Sequence, residues 1–195
     1  MLNRKLTLSD NFHLNFWQQP YAVSRYYGVS PWSQAHLDIL RPYMQLLARA
    51  GQRNASAILF YEPWGVQSND KFDAMIETTR KADGTWSYDY TAFDRWISFL
   101  DSCGINGDFN CFSMVPWDMT FTYYDEASKS YKDLKTTTNS KEYSDMWIPF
   151  LRSFTDHQKQ RGWFDRTVIA MDERSLDAMQ DAYRIAQEAA PGIKM

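Results

Sequence analysis

Two adjacent carboxylates, Asp172 and Glu173, follow the apolar run Thr167–Met171 and precede Ser175, a residue type that often begins helices. Glycosidases need one protonated carboxyl group that donates to the leaving oxygen and a second group that stabilises positive charge at the anomeric carbon. Two neighbouring acids repel each other when both are ionised, which raises one pKa and favours proton donation. Alternatively, the pair only begins a helix, where acidic side chains favour the positive end of the helix dipole. Spacing alone leaves both interpretations open.

Other polar residues compete for a catalytic or ligand-binding role. Glu62 directly follows a second apolar run, Ala55–Tyr61, and is a further candidate for a catalytic carboxylate. Asp125 and Glu126 are also adjacent, but their Tyr, Ser and Lys neighbours favour a solvated loop. The three histidines are scattered without the spacing of metal ligands, so we predict no metal site. No metalloprotease, P-loop or nucleophile-elbow motif is present.

Aromatic residues make up 16% of the chain, including 8 Trp, and several of them follow predicted strands. Their flat rings can stack on the C–H faces of sugars. We expect Trp17, Trp64 and Trp117 to converge near the strand ends as a binding platform. Gln18 and Gln67 are the nearby amides that we expect to hydrogen-bond sugar hydroxyls. For each Trp the alternative is a ring packed in the core.

The elements that would position these residues alternate between strand and helix. Strands are predicted at His13–Trp17, Ala55–Tyr61, Phe109–Val115 and Thr167–Met171, with the start of a fifth at Ile193–Met195. Helices are predicted to begin near Ser33, Asp89 or Tyr90, Ser140 and Ser175, and the first three to end at Gly51, Gly104 and Gly162. This alternation predicts right-handed βαβ units and a parallel sheet.

Loop lengths indicate the kind of α/β architecture. Turns from helix to strand are short, as in Gly51–Asn54 and Gly104–Asp108, whereas Glu62–Tyr88 and Pro116–Asn139 are long connections from strand to helix. Long insertions at the carboxyl edge of the strands are typical of α/β barrels, which build their active sites there. An open doubly wound sheet is the second choice, although no Gly-rich phosphate motif follows any strand.

A complete barrel has eight strands and about 250 residues. The 195 residues offer four strands and the beginning of a fifth. The predicted fold class is therefore α/β, a partial (β/α)8 TIM barrel containing about the first four βα units. We expect residues 1–195 to form one truncated domain.

The composition is that of an ordinary globular protein, with 44% hydrophobic residues, 23% charged residues and a net charge of −3. Since no basic stripe is present, no nucleic-acid partner is predicted. No apolar run is long enough to span a bilayer, and Met1–Asp10 lacks the apolar segment of a signal peptide. Cys103 and Cys111 are compatible with free buried thiols and do not fix a redox compartment.

Five blocks of residues, spread in order over nearly the whole chain, carry a resemblance to one known family. The blocks are Trp17–Tyr27, Glu62–Gln67, Asp83–Tyr90, Asn110–Trp117, and Gly162–Asp165 leading to Met171–Arg174. Together they resemble the catalytic domain of glycoside hydrolase family 123. The resemblance implies a retaining, exo-acting β-N-acetylgalactosaminidase on a (β/α)8 barrel, often preceded by a β-sandwich domain.

The resemblance also implies a mechanism. The adjacent Asp-Glu pair of the family follows the fourth strand and corresponds to Asp172 and Glu173. The 2-acetamido oxygen of the substrate is the nucleophile and forms an oxazolinium ion, one of the substrate-assisted exceptions to the two-carboxylate scheme. Asp172 would orient the acetamido N–H, and Glu173 would be general acid and then general base. The implied partner is a glycan with terminal β-linked GalNAc, no cofactor is implied, and the implied location is extracytoplasmic (periplasmic, surface or secreted).

Two other functions stay open. One is a barrel glycosidase that uses Glu62 and Glu173 as its two carboxylates, and the other is a non-catalytic sugar-binding relative. The catalytic reading has a geometric requirement, because consecutive residues of a regular strand point to opposite faces. We therefore predict that strand pairing ends at about Met171 and that the backbone turns or bulges there, so that Asp172 and Glu173 can face one sugar.

Overall fold

Short strands alternate with longer helices in the computed structural model, which describes residues 14–65 and 67–195. The helices are α1 (Pro20–Tyr27), α2 (Gln34–Ala50), α3 (Thr91–Cys103), α4 (Lys141–Gln160) and α5 (Leu176–Ala189), with a short 3-10 helix at Phe164–Arg166. The strands are β1 (Ala55–Ile58), β2 (Glu77–Arg80), β3 (Trp86–Asp89), β4 (Phe109–Phe112), β5 (Thr120–Asp125), β6 (Ser130–Lys135) and β7 (Thr167–Ile169). None of the helices described is both long and apolar enough to cross a membrane.

A three-stranded parallel sheet, in the order β1-β4-β7, carries the centre of the fold. Isolated parallel bridges extend it on both sides, from Leu14 to Gln52 next to β1 and from Lys194 to Val168 next to β7. The strands thus lie side by side in the order in which they occur along the chain, as the predicted βαβ units require.

The two faces of this sheet are covered by different residues. One face contributes Ala57, Cys111 and Ile169 to a large core that also holds Leu40 of α2, Trp96 of α3, Phe150 of α4 and Ile185 of α5. The other face contributes Ile58 and Phe112 to a small core with Trp64 and Phe72. Because buried residues of α2 to α5 join only the first core among the described residues, these helices cover one face. A doubly wound sheet needs helices on both faces, so that second choice is not the architecture observed.

The predicted helix boundaries are confirmed. Ser33, Ser140 and Ser175 each accept a hydrogen bond from a backbone N–H in the first turn of α2, α4 and α5. Gly51 and Gly104 end α2 and α3 at φ values of 106° and 94°, a left-handed conformation that glycine adopts at little cost.

The first predicted strand and several strand ends need correction. His13 lies outside the described residues, and within the rest of His13–Trp17 only Leu14 makes a strand-like bridge. The short helix α1 that follows, with Pro20 at its first position, was not predicted. β1, β4 and β7 also end two or three residues earlier than predicted, because the chain leaves the ladder there to enter the loops at the carboxyl edge.

The two long connections from strand to helix contain strands that were not predicted from the sequence. Each forms an antiparallel hairpin, β2–β3 and β5–β6, and parallel pairing of β2 with β5 joins them into a four-stranded sheet, β3-β2-β5-β6. Asp125, assigned to a solvated loop, is the last residue of β5 and is buried. Its carboxylate accepts hydrogen bonds from Lys132 Nζ at 2.6 Å and from Ser128 N at 3.1 Å.

Aromatic contacts attach this second sheet to the rest of the molecule. Phe121 of β5 lies 5.4 Å from Phe60 and 5.7 Å from Trp147 of α4, measured between ring centroids. Tyr88 of β3 lies 5.2 Å from Phe150 of α4. The sheet built by the insertions therefore shares the main core.

Candidate active site

The Asp172–Glu173 pair lies beyond the carboxyl end of β7, where strand pairing has stopped. The last ladder hydrogen bond runs from Ala170 N to Cys111 O at 3.0 Å, and the backbone bends at Glu173 before α5 begins. Pairing therefore ends before the two acids, as predicted, and they are free of the strict alternation of a strand.

Asp172 is held on both of its carboxylate oxygens. Trp117 Nε1 donates to Oδ2 at 3.1 Å, and the backbone N–H of Glu173 donates to Oδ1 at 3.2 Å. Glu173 is exposed, and no described residue hydrogen-bonds its carboxylate. The two acids thus have different surroundings, one oriented by the protein and the other open to solvent.

Arg174, which was not predicted as a site residue, belongs to the same group. Its guanidinium lies 5.0 Å from the ring centroid of Trp117, a cation–π distance, and its buried Nε has no hydrogen-bond partner among the described residues. The signal for Arg174 was its position directly after Asp172 and Glu173. Trp117 therefore contacts the 172–174 segment through its N–H and through its ring.

Two of the three tryptophans, Trp17 and Trp64, pack against each other, and Trp117 meets the loop that contains Trp64 through its backbone. Trp17 stacks on Trp64 with centroids 4.7 Å apart, and both lie within 5.2 Å of Phe112. Trp64 is only 5% exposed, so its ring is packed, whereas Trp17 and Trp117 are 48% and 37% exposed. Trp117 joins this group through its backbone N–H, which donates to Pro63 O at 2.9 Å.

The two glutamines predicted to bind sugar lie in different places. Gln18 is buried, and its Oε1 accepts from Ser56 N at 2.7 Å while its Nε2 donates to the backbone carbonyls of Asn54 and Phe16. These partners stand at the amino end of β1, opposite the edge that carries Asp172. Gln18 therefore stabilises the backbone and is not brought to the carboxylates. Gln67 is exposed in the loop that follows Trp64.

Glu62 closes the loop that contains Trp64. Its Oε1 accepts a hydrogen bond from Phe72 N at 3.0 Å, and its backbone N–H donates to Phe72 O at 2.9 Å. The residue is 7% exposed at a φ of 49°, and its Oε2 has no partner among the described residues. This geometry gives Glu62 a clear role in joining residue 62 to residue 72 across the loop.

Possible metal ligands are dispersed. Across residues 14–65 and 67–195, no three His, Cys, Asp or Glu side chains surround a common point. What the site offers chemically is two adjacent carboxylates, a guanidinium and half-exposed indole rings.

A parallel sheet with paired carboxylates and aromatic rings at its carboxyl edge offers the side chains that glycoside hydrolases use. Residues 17–195 match the family model for the catalytic domain of glycoside hydrolase 123. The chain belongs to glycoside hydrolase family 123.

The fold is also similar to a solved family 123 glycoside hydrolase from Clostridium perfringens, studied for the details of glycolipid glycan hydrolysis. The two share 32% sequence identity with a TM-score of 0.85. The match covers 88% of this chain and 31% of the other, so the chain spans about a third of that relative. Among curated proteins no match was found.

Proposed function

We propose that the protein is a retaining exo-glycosidase that releases terminal β-linked N-acetylgalactosamine by substrate-assisted catalysis. The observation that carries the proposal is the contrast within the pair: Asp172 is oriented by Trp117, whereas the Glu173 side chain is exposed and its carboxylate has no hydrogen-bond partner among the described residues. Family membership supports glycoside hydrolysis in general. The glycolipid glycans named for the Clostridium perfringens relative suggest the natural source of the substrate.

In the proposed reaction, the acetamido carbonyl oxygen of the sugar attacks the anomeric carbon while the bond to the leaving oxygen breaks. Glu173 gives its proton to that leaving oxygen. Asp172 accepts a hydrogen bond from the acetamido N–H, because a carboxylate has about four lone-pair sites and two donors leave room for a third. Its negative charge offsets the positive oxazolinium ion.

The second half of the reaction reverses the roles. A water molecule attacks the anomeric carbon and loses a proton to the Glu173 carboxylate, and the acetamido group is restored. Two displacements at the same carbon retain its configuration. The same residue serves as acid and then as base, as microscopic reversibility requires.

We further propose that the described residues form the first four βα units of a (β/α)8 barrel. The strand order β1-β4-β7, the coverage of one face by α2 to α5, and the pairing of Lys194 beside β7 support this arrangement. An extracytoplasmic location is proposed on the family resemblance.

The test compares Glu173→Gln with Asp172→Asn in the complete reading frame, using GalNAc β-glycosides with good and poor leaving groups. Glu173→Gln should lower the rate by about 10²–10⁴ for poor leaving groups and by less for good ones, because good leaving groups need little protonation. Asp172→Asn should slow both classes, because both pass through the oxazolinium ion. Glu188→Gln, an exposed change on α5, is the matched control. Full activity of Glu173→Gln on poor leaving groups would refute the assignment.

A two-carboxylate mechanism is the second candidate, favoured by the unpartnered Oε2 of buried Glu62. The two mechanisms differ in their need for the acetamido group. Replacing this group by a hydroxyl should abolish turnover if the substrate supplies the nucleophile. Continued turnover that is lost in Glu62→Gln would establish the second candidate instead.

A further inference from the structure

A turn formed by residues 62–65 contacts Trp117 at two points. Gly65 N donates to Glu62 O at 3.2 Å, and this hydrogen bond closes the turn. Pro63 O, within the turn, accepts the backbone N–H of Trp117 at 2.9 Å. Gly65 lies so close by that a Cβ added to it would be 3.5 Å from Trp117 Cβ. The turn therefore lies against the backbone of Trp117 and limits where that residue can sit.

The conformation of this turn is unfavourable on its own and depends on Glu62. This residue has a φ of 49°, a left-handed conformation that residues with a Cβ adopt at a cost. Its carboxylate Oε1 accepts from Phe72 N at 3.0 Å, and its backbone N–H donates to Phe72 O at 2.9 Å. Both hydrogen bonds hold Glu62 in the strained conformation, and burial of the side chain keeps water from replacing them.

Phe72, the partner of Glu62, is itself fixed in the molecule. Its ring is buried in the small core. Next to it in the chain, Asp70 and Asp73 pair with the guanidinium of Arg25 on α1, at 2.8 and 2.7 Å. Glu62 therefore ties the turn to a segment that both the small core and α1 hold in place.

We infer that Glu62 is a positioning residue for Asp172 and acts through Trp117. The indole N–H of Trp117 reaches Asp172 Oδ2 at 3.1 Å, a contact that requires the Trp117 backbone to stay where the turn places it. A displacement of about 1 Å that begins away from the reacting atoms can lower a rate by about 10²-fold. The inference rests on the proposed function for the role of Asp172. In this role Glu62 neither contacts substrate nor exchanges a proton.

This role needs an oxygen that accepts a hydrogen bond and does not need a negative charge. A Gln side chain has the same length as Glu, and its carbonyl oxygen can accept the hydrogen bond from Phe72 N. Glu62→Gln should therefore keep the turn, whereas Glu62→Ala should release it. Under the two-carboxylate mechanism, in contrast, both changes would abolish turnover.

The first experiment observes the contact between Trp117 and Asp172 independently of activity. In the complete reading frame with isotope-labelled tryptophan, the indole N–H signal of Trp117 in NMR spectra is identified by its absence from Trp117→Phe. Glu62→Ala should shift this signal in the same direction as Asp172→Ala does, and Glu62→Gln should leave it in place. An unchanged signal in Glu62→Ala would overturn the inference.

Asp125→Ala is the matched control, because Asp125 is also a buried acid that accepts a backbone N–H, from Ser128, at the end of β5 remote from Trp117. This change should lower Tm and leave the Trp117 signal and kcat/KM unchanged. If it moved the signal as much as Glu62→Ala does, general destabilisation would explain both results and the inference would be wrong.

The second experiment measures the kinetics of the same variants with GalNAc β-glycosides. Glu62→Ala should lower kcat/KM about tenfold for good and poor leaving groups alike, because the hydrogen bond that orients Asp172 is weakened. In a Trp117→Phe background, which already lacks this bond, Glu62→Ala should cause no further loss. Glu62→Gln should keep the wild-type rate. Additive losses in the double variant, or a loss in Glu62→Gln, would contradict an action through Trp117.

Failure of the inference and failure of the proposed function give different results. If no GalNAc glycoside is cleaved while the Trp117 signal responds as described, the proposed function is wrong and the positioning of Asp172 by Glu62 stands. If cleavage depends on Asp172 and Glu173 while Glu62→Ala changes neither the signal nor the rate, the proposed function stands and the inference is wrong.

Discussion

Trp117 links the two residues on either side of Glu173. Its indole N–H donates to Asp172, and its ring lies under the guanidinium of Arg174. From the sequence, Trp117 is expected to be part of a sugar-binding platform. The structure adds a second role, the orientation of Asp172, and Trp117 as a whole remains 37% exposed, which leaves part of it open for contact with substrate.

Trp117→Phe should keep an aromatic ring and remove the indole N–H donor. A hydrogen bond to a charged group contributes about 1.5–3 kcal/mol, so we expect kcat/KM to fall at least about tenfold. The loss should be similar for good and poor leaving groups, since Asp172 acts in oxazolinium formation. Steady-state kinetics with both substrate classes in the complete reading frame provide the measurement.

Trp163→Phe is the control for this change. Trp163 also carries a cation–π contact, from Arg161 at 4.4 Å, but it precedes β7 at the amino edge. It should leave kcat/KM unchanged. A loss in Trp117→Phe that is confined to poor leaving groups would show that Trp117 acts through Glu173 and not through Asp172.

At the scale of elements, Asp125 ties the β5–β6 hairpin together. Hydrogen bonding from Lys132, and then from Ser128, lowers the pKa of Asp125 to about 2 from the ordinary 3.8. Because the folded pKa lies below the unfolded one, the ionised carboxylate stabilises the folded state above about pH 4. That stabilisation is lost as the pH falls toward 2.

Asp125→Asn should therefore lower Tm at pH 7 and flatten the decline of Tm between about pH 4 and pH 2. Thermal unfolding followed by circular dichroism over this range measures both effects. Asp145→Asn removes an exposed pair with Lys141 on α4 and should change Tm little, since exposed ion pairs contribute little. If Asp125→Asn lowered Tm by the same amount at every pH, the ionisation of Asp125 would not be the cause of the decline of Tm between about pH 4 and pH 2.

At the scale of the whole molecule, the two sheets are expected to unfold together because they share a core. Phe121 is fully buried in the second sheet and contacts Phe60, which follows β1, and Trp147 of α4. Truncating such a side chain removes buried apolar surface and leaves a cavity.

Phe121→Ala should lower the free energy of unfolding by about 3–5 kcal/mol. Urea unfolding followed by far-UV circular dichroism and by tryptophan fluorescence should give coincident transitions with a lowered midpoint. Tyr183→Ala, at a 54% exposed position of α5, should change stability by less than about 0.5 kcal/mol. If Phe121→Ala produced a separate, earlier transition in far-UV circular dichroism and left the main transition unchanged, the two sheets would unfold independently of each other.

Local sequence determined helices α2 to α5, the order of the central strands and the position of the Asp172–Glu173 pair. A serine cap and a glycine at the carboxyl end act within one helical turn. Ser33 and Gly51 therefore set the two ends of α2 through local interactions that do not depend on its tertiary contacts. Likewise, strands of parallel sheets are covered on both faces and are therefore nearly continuously apolar. Such a run can be recognised in the sequence before the neighbouring strands are known. The resemblance to family 123 could also be recognised from the five sequence blocks without the structure.

Tertiary structure alone decided the pairing of β2 with β5, because Thr79 and Tyr124 are distant in sequence and their strands are largely polar. It also decided which polar and aromatic side chains stay accessible. Gln18 and Trp64 have the residue types of a sugar site, yet backbone groups occupy the amide of Gln18 and neighbouring rings cover Trp64. Hydrogen bonding and burial depend on residues brought together from far apart along the chain, and local patterns do not contain that information.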